Sequence, residues 1–349
     1  MPVPNRGDTP CVSVIVPVRN EAEFIERLIE ALFSQNYPLG QLEVIVAEGM
    51  STDGTREILT GLCQREYPRL IVVDNPERIV PTGLNRAIEI ARGDVIIRID
   101  GHALIAPDFI RQNVELLAEH PEAWSVGGPI RHAARTTFGK AVAAAMSHPL
   151  GVGNALHRYP DYEGYAEGAQ FPAFRRSVFD RVGLFDERLV RNQDDEFNYR
   201  IRGAGGRIYV SPRVRYSYFV RERVRELFKQ YFQYGFWRIP VIEKHRRPTT
   251  WRHVAPFLFY GACLVLAVVA LWRREPGLAL ILPLVYGCAI TFAGALRVRR
   301  DGLRVAARIP LAIATIHAAY AMGTAYGVAA KLLRLQAWNV EGRMATLSR

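Results

Sequence analysis

Residues 12–21 read VSVIVPVRNE, and residues 42–55 read LEVIVAEGMSTDGT. Each stretch opens with a run of apolar, mostly β-branched residues and ends in polar ones, which is typical of a buried strand followed by a loop. Two more such runs occupy residues 70–73 and 95–99. Apolar residues at helical spacing follow the first three runs, at residues 21–34, 53–66 and 82–92. This alternation predicts an α/β domain with a mostly parallel sheet and helices on both of its faces.

The polar residues that follow these strands predict a nucleotide site. They form three clusters, at residues 17–21 (PVRNE), 48–55 (EGMSTDGT) and 100–102 (DGH). Ligands of parallel sheets bind at the carboxyl ends of the strands, where the three clusters would meet. A nucleotide diphosphate needs an acceptor for a base N–H, groups for the ribose and oxygen ligands for a divalent cation. Because Asp53-Gly54 alone is also a common turn sequence, the prediction depends on the three clusters together.

The charge of the chain is concentrated in its C-terminal part. The 349 residues carry a formal charge of +11, yet residues 1–210 contain 28 acidic and 23 basic residues. Residues 211–253 contain 11 basic and 3 acidic residues, and residues 254–349 contain the same numbers. A mildly acidic N-terminal part argues against nucleic acid as the partner. A basic band beside apolar segments is typical of a protein at an anionic membrane surface.

Three apolar segments, at residues 254–272, 277–296 and 309–330, are long enough to span a bilayer. The alternative is a buried helical bundle of a soluble protein. The linker at residues 297–308 contains five arginines, which favours a cytoplasmic location and keeps residues 1–250 in the cytoplasm. The loop at residues 273–275 and the C-terminal tail then lie outside, although the basic tail residues Lys331, Arg334 and Arg343 fit that side less well. We expect a multi-pass protein of the cytoplasmic (inner) membrane.

Residues 221–247 combine basic and aromatic side chains, which predicts an amphipathic helix at the membrane interface. The alternative is an ordinary surface helix packed on the domain. The chain is therefore divided into a catalytic domain (1–220), an interfacial region (221–250) and a membrane domain (251–349). Small residues four apart, at Ala319, Gly323 and Gly327, could permit close helix packing.

The termini and the cysteines add little. The first apolar run is too short for a signal peptide. The spacing of the four cysteines suggests neither a zinc site nor a disulfide framework; they are Cys11, Cys63, Cys263 and Cys288.

Taken together, the clusters resemble glycosyltransferase family 2, of the GT-A fold. Pro17 to Glu21 matches the family's Pro-x-x-Asn-Glu, and Glu48 to Thr55 matches its Asp-Asp-Gly-Ser-x-Asp-Gly-Thr, with Glu48 and Gly49 in place of the two Asp residues. Asp100-Gly101-His102 stands where the family has its Asp-x-Asp motif. Residues 193–196, followed by Arg200, match the family's Glu-Asp-x-Asp and the Arg that follows it. Gln233 and Trp237 match the outer positions of its Gln-x-x-Arg-Trp motif, in which Phe236 replaces Arg. The chain looks most similar to the succinoglycan-biosynthesis (ExoA-type) branch, which elongates lipid-linked oligosaccharides.

The resemblance implies an inverting transferase that moves a sugar from a nucleotide-sugar, favoured to be a UDP-sugar, to a lipid-linked saccharide. It makes Asp194 the general base, Gln233 and Trp237 acceptor-site residues, and Asp100 with His102 the ligands of Mn²⁺ or Mg²⁺. Imidazole ligation would favour manganese. The implied donor site comprises Pro17, Arg19, Asn20, Glu21, Glu48, Asp53, Asn85 and Asp100.

Several alternatives stay open on the sequence alone. Asp194 could be one of three ordinary first-turn helix acids. His102 could hydrogen-bond a phosphate or Asp100 without binding metal. The enzyme could be a polyprenyl-phosphate sugar synthase, whose anionic acceptor needs no base, or a processive polysaccharide synthase, although three spans are too few for an export channel. A degenerate transferase that serves as a membrane scaffold is the non-enzymatic alternative.

Overall fold

The computed structural model describes residues 9–65, 67, 69–246 and 250–333. The chain forms two compact units. The first consists of Met1–Arg131 and Leu156–Tyr218, and the second of His132–Ala155 and Phe219–Arg349. The predicted division at residues 220 and 250 remains a prediction, whereas the grouping of residues 132–155 with the C-terminal helices is a feature that the sequence did not reveal.

The strands are short and follow one another in the order typical of an α/β chain. They are β1 Val12–Val18, β2 Leu42–Glu48, β3 Leu70–Asp74, β4 Val95–Arg98, β5 Leu104–Ile105, β6 Ala123–Gly128, β7 His132–Ala133, β8 Gly164–Ala166, β9 Gln170–Arg175, β10 Arg207–Val210 and β11 Tyr216–Phe219.

The helices are of two kinds, short ones in the first unit and long ones towards the C-terminus. They are α1 Ile25–Phe33, α2 Thr55–Gln64, α3 Val80–Ile90, α4 Phe109–Glu119, α5 Thr137–Ala145, α6 Pro149–Val152, α7 Ser177–Val182, α8 Gln193–Gly203, α9 Val224–His245, α10 Ala255–Arg273, α11 Pro276–Leu296, α12 Val298–Asp301, α13 Leu303–Ala306 and α14 Ile309–Leu332.

The first unit is built on an eight-stranded sheet of order β3-β2-β1-β4-β9-β6-β10-β8. The strands β3, β2, β1 and β4 are parallel, which confirms the predicted α/β sheet. Strand β9 runs antiparallel to both β4 and β6, a reversal that the sequence did not predict. From β1 the chain passes to β2 and β3 on one side and then returns to β4 on the other. The carboxyl end of β1 is therefore a topological switch point, where ligands of open α/β sheets bind.

The apolar runs that predicted the strands form the core. Every residue of β2 is buried, and α1 buries one face on the sheet through Leu28, Ile29, Leu32 and Phe33. Because β1 and β2 are covered on both faces, their side chains read as continuous apolar runs rather than alternating ones. The core fixes the strands, and the polar residues beyond their carboxyl ends are left at the sheet edge.

In the second unit, the three predicted apolar segments are helices long and apolar enough to cross a membrane. They are Ala255–Arg273, Pro276–Leu296 and Leu303–Leu332, with mean hydropathies of 2.2, 2.0 and 1.4. Most side chains of α10 and α11 are exposed, including Leu264, Leu271 and Val285. Such apolar exposure is costly in water and suits a lipid environment. The tail residues Arg334 and Arg343 lie outside the described residues.

Helix α9 confirms that residues 221–247 are largely helical, and it packs along α14. The small-residue face predicted for α14 is the contact surface. A methyl group built on Gly323 would collide with the carbonyl oxygen of Phe232, and one built on Gly327 would lie 2.8 Å from Ile239 Cγ1. Gly235 of α9 meets the backbone of Tyr320 in the same way. The two helices thus pack backbone against backbone, and α9 buries one face on α14.

The short helices α5 and α6 lie in the segment between β7 and β8. They join the apolar cluster of the second unit, where Val142 and Ala145 are fully buried with Ile313 of α14. The Gly151 carbonyl oxygen lies 3.3 Å from His317 Nε2 of α14. The segment is thus part of the helical body formed by the apolar C-terminal helices.

Candidate active site

Backbone-to-side-chain hydrogen bonds join the loops that follow β1 and β2. The N–H of Asn20 donates to Ser51 Oγ (2.8 Å), and the Asn20 side-chain oxygen accepts from the Thr52 N–H (2.8 Å). The Glu21 N–H donates to Thr55 Oγ1 (2.8 Å). Asn20 has a left-handed backbone conformation (φ 55°), which Asn tolerates better than most residues. The first two sequence clusters therefore form one connected polar surface.

Asp53, in the loop after β2, connects the two loops through hydrogen bonds. Its Oδ1 accepts from the Thr55 N–H (3.1 Å) and hydroxyl (2.6 Å), and its Oδ2 accepts from the Ala22 N–H (3.2 Å). Partial burial raises the pKa of Asp53, but these hydrogen bonds outweigh it and hold the pKa below its ordinary value. Asp53 is thus an ionised brace between the loops, and its contact with a nucleotide stays a prediction.

Glu48, at the end of β2, is fully buried and has two partners. It accepts a hydrogen bond from the Ser51 N–H (2.7 Å) and forms an ion pair with Arg56, whose Nη2 also donates to Asp74 Oδ1 (2.7 Å). Burial raises the pKa of Glu48, while the hydrogen bonds from Ser51 and Arg56 lower it by more, so the net pKa is depressed. Its predicted contact with a base N–H stays a prediction.

Glycines let the loops after β2 and β4 approach the end of β1. A methyl group on Gly49 would lie 3.0 Å from the Val18 carbonyl oxygen and 3.1 Å from Arg19 Cβ. A methyl group on Gly101 would lie 2.9 Å from Val18 Cγ1 and 3.0 Å from Glu21 Cγ. Gly49, which departs from the resembled family pattern, therefore has a packing reason at this position.

Two predicted donor-site residues, Pro17 and Asn85, make contacts that hold the fold. Pro17 lies in β1 opposite Ala47 of β2. The buried amide of Asn85 donates to the Phe185 carbonyl oxygen and to Glu187 Oε1 (both 2.9 Å) and accepts from the Phe185 N–H (2.9 Å). Asn85 thus ties α3 to the segment before α8, and its place in the donor site stays a prediction.

The carboxylates of Asp100 and Asp194 meet at one guanidinium, that of Arg98. Arg98 Nη2 donates to Asp100 Oδ1 (3.1 Å), and Arg98 Nη1 lies 3.8 Å from Asp194 Oδ2. Arg98 ends β4, and its side chain is 11% exposed, against 53% for Asp194. The structure therefore brings together the predicted metal ligand and the predicted base, which are 94 residues apart in the chain.

His102 lies against Glu21, with 3.1 Å between His102 Nδ1 and Glu21 Oε1. A carboxylate on one ring nitrogen holds that nitrogen protonated and leaves the other able to bind a metal. Among the described residues, no three His, Cys, Asp or Glu side chains form a group that could enclose an ion. Metal binding by Asp100 and His102 stays a prediction, in which this pair would supply two protein ligands. That fits Mg²⁺ or Mn²⁺ in a nucleotide site, where phosphate oxygens and water complete the coordination.

Asp194 lies in the first turn of α8 and differs from its acidic neighbours. Its Oδ1 accepts from the Asp195 N–H (2.8 Å), and its side chain is 53% exposed. Glu196 is fully buried and pairs with Arg200 (3.0 Å), which also donates to the Leu184 carbonyl oxygen (2.7 Å). Glu196 therefore braces the helix, whereas Asp194 is accessible to a substrate.

The predicted acceptor-site residues lie in α9, in the second unit. Gln233 is 5% exposed and Trp237 is 1% exposed. The Trp237 ring meets that of Phe236 edge to face, with 5.5 Å between the ring centroids. Both predicted residues are thus part of the packed interior of this unit, and their role in acceptor binding stays a prediction.

Sequence reasoning missed the two arginines that bind the site carboxylates. Arg98 lies within the apolar run of β4, so it reads as part of a strand, and Arg56 reads as an exposed residue of α2. One pattern could have drawn attention to Arg98. Residues two apart on an extended chain face the same side, and Arg98 stands two residues before Asp100.

Comparison with known proteins agrees with this fold. The family model described as Glycosyl transferase family 2 matches residues 13–183. The succinoglycan biosynthesis protein ExoA of Rhizobium meliloti (strain 1021) is 37% identical over 260 residues, covering 72% of this chain and 78% of ExoA. A Methanococcus voltae enzyme, dolichyl N-acetyl-alpha-D-glucosaminyl phosphate 3-beta-D-2,3-diacetamido-2,3-dideoxy-beta-D-glucuronosyltransferase, is 27% identical over 254 residues, covering 71% of this chain and 79% of the enzyme.

Solved structures share the fold. The mannosyltransferase PcManGT of Pyrobaculum calidifontis, solved in complex with GDP-Man and Mn²⁺, superposes with a TM-score of 0.55 at 22% identity, over 96% of this chain and 89% of that one. Residues 1–349 of S. aureus TarS superpose with a TM-score of 0.51 at 16% identity, over 89% and 90% of the two chains. The sheet order, with its switch point at the end of β1, is that of the GT-A fold. The chain belongs to glycosyltransferase family 2.

Proposed function

We propose that this glycosyltransferase transfers a sugar, with inversion, from a nucleotide-sugar to a lipid-linked saccharide during exopolysaccharide or cell-envelope glycan synthesis. The observation that carries the proposal is the meeting of Asp100 and Asp194 at Arg98, beside the carboxyl end of β1. In the proposed reaction, Asp100 binds the cation of the donor diphosphate, and Asp194 takes the proton of the acceptor hydroxyl. The reaction needs both groups within one site.

Asp194 is the general base of the proposed reaction. The acceptor hydroxyl oxygen attacks the anomeric carbon of the donor sugar from the face opposite the diphosphate. The bond between that carbon and the diphosphate oxygen breaks, and Asp194 takes the hydroxyl proton. The half-exposed carboxylate, at the start of a helix, is accessible to an incoming hydroxyl.

Asp100 and His102 are the proposed ligands of a divalent cation, and Glu21 orients the His102 ring. When bound, Mn²⁺ or Mg²⁺ stabilises the negative charge of the departing nucleoside diphosphate. The nucleotide is proposed to bind on the polar surface formed by Asn20, Glu21 and Asp53. Uridine is the base that the family pattern favours, and Glu48 and Arg56 lie at the edge where it would bind.

The proposed acceptor is attached to a membrane lipid. The three apolar helices support membrane attachment, and the arginine-rich linker supports a cytoplasmic location for residues 1–250. The names of two relatives support the pathway, since one belongs to succinoglycan biosynthesis and the other transfers to a dolichyl-linked sugar phosphate. Gln233 and Trp237 of α9 are the proposed acceptor-site residues.

The test uses the purified full chain and membranes from cells that lack its gene. Such membranes should accumulate a truncated lipid-linked saccharide, and the purified protein with a UDP-sugar and Mn²⁺ should extend it by one residue, as measured by mass spectrometry. Asp100→Ala should abolish the extension. Extension by Asp100→Ala at the wild-type rate would refute the proposed donor site. Unchanged lipid-linked saccharides in the deletion strain would refute the proposed acceptor class.

A further inference from the structure

Arg98 places a partly buried positive charge beside the carboxylates of Asp100 and Asp194. Its side chain is 11% exposed, and its two terminal nitrogens lie 3.1 Å from Asp100 Oδ1 and 3.8 Å from Asp194 Oδ2. Moving a guanidinium out of water is costly unless acidic partners compensate it, so these two carboxylates stabilise its position. The contact with Asp100 is a hydrogen bond, whereas the contact with Asp194 exceeds hydrogen-bond length.

In this arrangement, Arg98 is bound to the carboxylate that the proposed function assigns to a divalent cation. Two positive groups, the guanidinium and the metal ion, then compete for Asp100. When Asp100 is engaged by the ion, the second carboxylate within reach of Arg98 is that of Asp194. Strengthening the Arg98–Asp194 contact would restrain an otherwise half-exposed side chain.

We propose that Arg98 is a positioning residue that passes from Asp100 to Asp194 when the donor and its cation bind. It thereby fixes the general base after the donor site is filled. The proposal rests on the proposed function, because it takes Asp100 as the cation ligand and Asp194 as the base. It assigns a role to a residue for which the sequence pattern gave none, and it implies that the donor binds before the acceptor.

The competition predicts opposite effects of two substitutions on binding of Mn²⁺ alone, measured by calorimetry on the full chain in detergent. Arg98→Met removes the competitor, so Mn²⁺ should bind about 3- to 10-fold more tightly, the range expected for a partly buried charged hydrogen bond. Asp194→Asn removes the second carboxylate that Arg98 contacts and thereby favours its contact with Asp100, so Mn²⁺ should bind more weakly by a few-fold. The two changes should not add, since Asp194→Asn should have no effect in the Arg98→Met background.

Matched controls separate this role from general electrostatics. Arg188→Met makes the same change of charge at an exposed arginine paired with Asp186, and it should leave Mn²⁺ affinity unchanged. Asp195→Asn makes the same change as Asp194→Asn one residue along α8, and it should also have no effect. A merely structural role for Arg98 would weaken Mn²⁺ binding or leave it unaltered when Arg98 is replaced.

Arg98→Lys provides a second variant if Arg98→Met does not fold. Lys has a shorter side chain with a single nitrogen, so it should hold Asp100 less tightly than the guanidinium does and should not reach Asp194 as well. Mn²⁺ affinity should therefore rise while the rate of sugar transfer falls. Weaker or unchanged Mn²⁺ binding in the folded Arg98 variants would overturn the inference and leave the proposed function intact. Failure of the wild-type protein to bind Mn²⁺ would instead refute the proposed metal site, and the inference with it.

Discussion

The acidic residues at the start of α8 have different surroundings, and this makes a sharp test of mechanism possible. Asp194→Asn keeps shape and hydrogen bonding but removes the proton acceptor, so the rate constant should fall about 10²- to 10⁴-fold. Donor affinity should change by no more than a few-fold, which separate measurement of kcat and KM would establish. Asp195→Asn is the matched control and should remain active. Near-normal turnover of Asp194→Asn would favour a phosphate acceptor, which needs no base.

Glu48 makes the stability of the first unit depend on pH. Its ordinary pKa is 4.5, and its contacts with Ser51 and Arg56 lower the pKa in the folded protein. The stabilisation is therefore fully present above pH 4.5 and is lost as the pH falls through the lower, folded-state pKa. Glu48→Gln should melt at a lower temperature near neutrality and lose less stability on acidification. If the melting temperatures of Glu48→Gln and of the wild type fell by the same amount as the pH is lowered below 4.5, this would be contradicted.

At the scale of elements, the close packing of α9 against α14 depends on glycine. Gly323→Ala places a methyl group against the Phe232 carbonyl oxygen, so the helices must separate, at a cost of about 1–3 kcal/mol. Gly287→Ala in α11 is the control, because its methyl group meets nothing within 4 Å. Alanine there should be neutral or stabilising by up to about 1 kcal/mol. Thermal unfolding in detergent should thus separate the two variants, and equal melting temperatures would show that the close contact does not matter.

Elements were easier to predict from the sequence than their contacts. The strands β1, β2 and β4 were predictable because their apolar residues are buried on both faces, and β3, a half-buried edge strand, was predictable from its apolar run. The polar clusters that follow β1, β2 and β4 do lie at the sheet edge. The antiparallel β9 was not, since an apolar run carries no information on its direction. The contact of Glu21 with His102 joins residues 81 apart and that of Arg98 with Asp194 joins residues 96 apart, distances over which one sequence offers no spacing rule.

For the whole molecule, the testable quantity is which side of the membrane each loop occupies. The arginine-rich linker at residues 297–308 predicts a cytoplasmic location, so a single cysteine at Arg300 in a cysteine-free chain should resist a membrane-impermeant reagent in intact cells. Arg300 is a better position than Gly302, whose φ of 79° disfavours a side chain. Arg273→Cys, in the loop on the other side, should label. Efficient external labelling at Arg300 would overturn the three-span arrangement.

The membership of residues 132–155 in the helical unit has a practical consequence for anyone seeking a water-soluble enzyme. Cutting the chain after residue 220 removes α14 but retains α5, whose Val142 and Ala145 are buried in the cluster with that helix. The truncated polypeptide would expose the apolar side chains of α5 to solvent and should aggregate. Excising residues 132–155 as well, or replacing their apolar side chains with polar ones, should restore solubility. Expression trials that vary only the C-terminal end point are therefore expected to fail at every end point that removes α14.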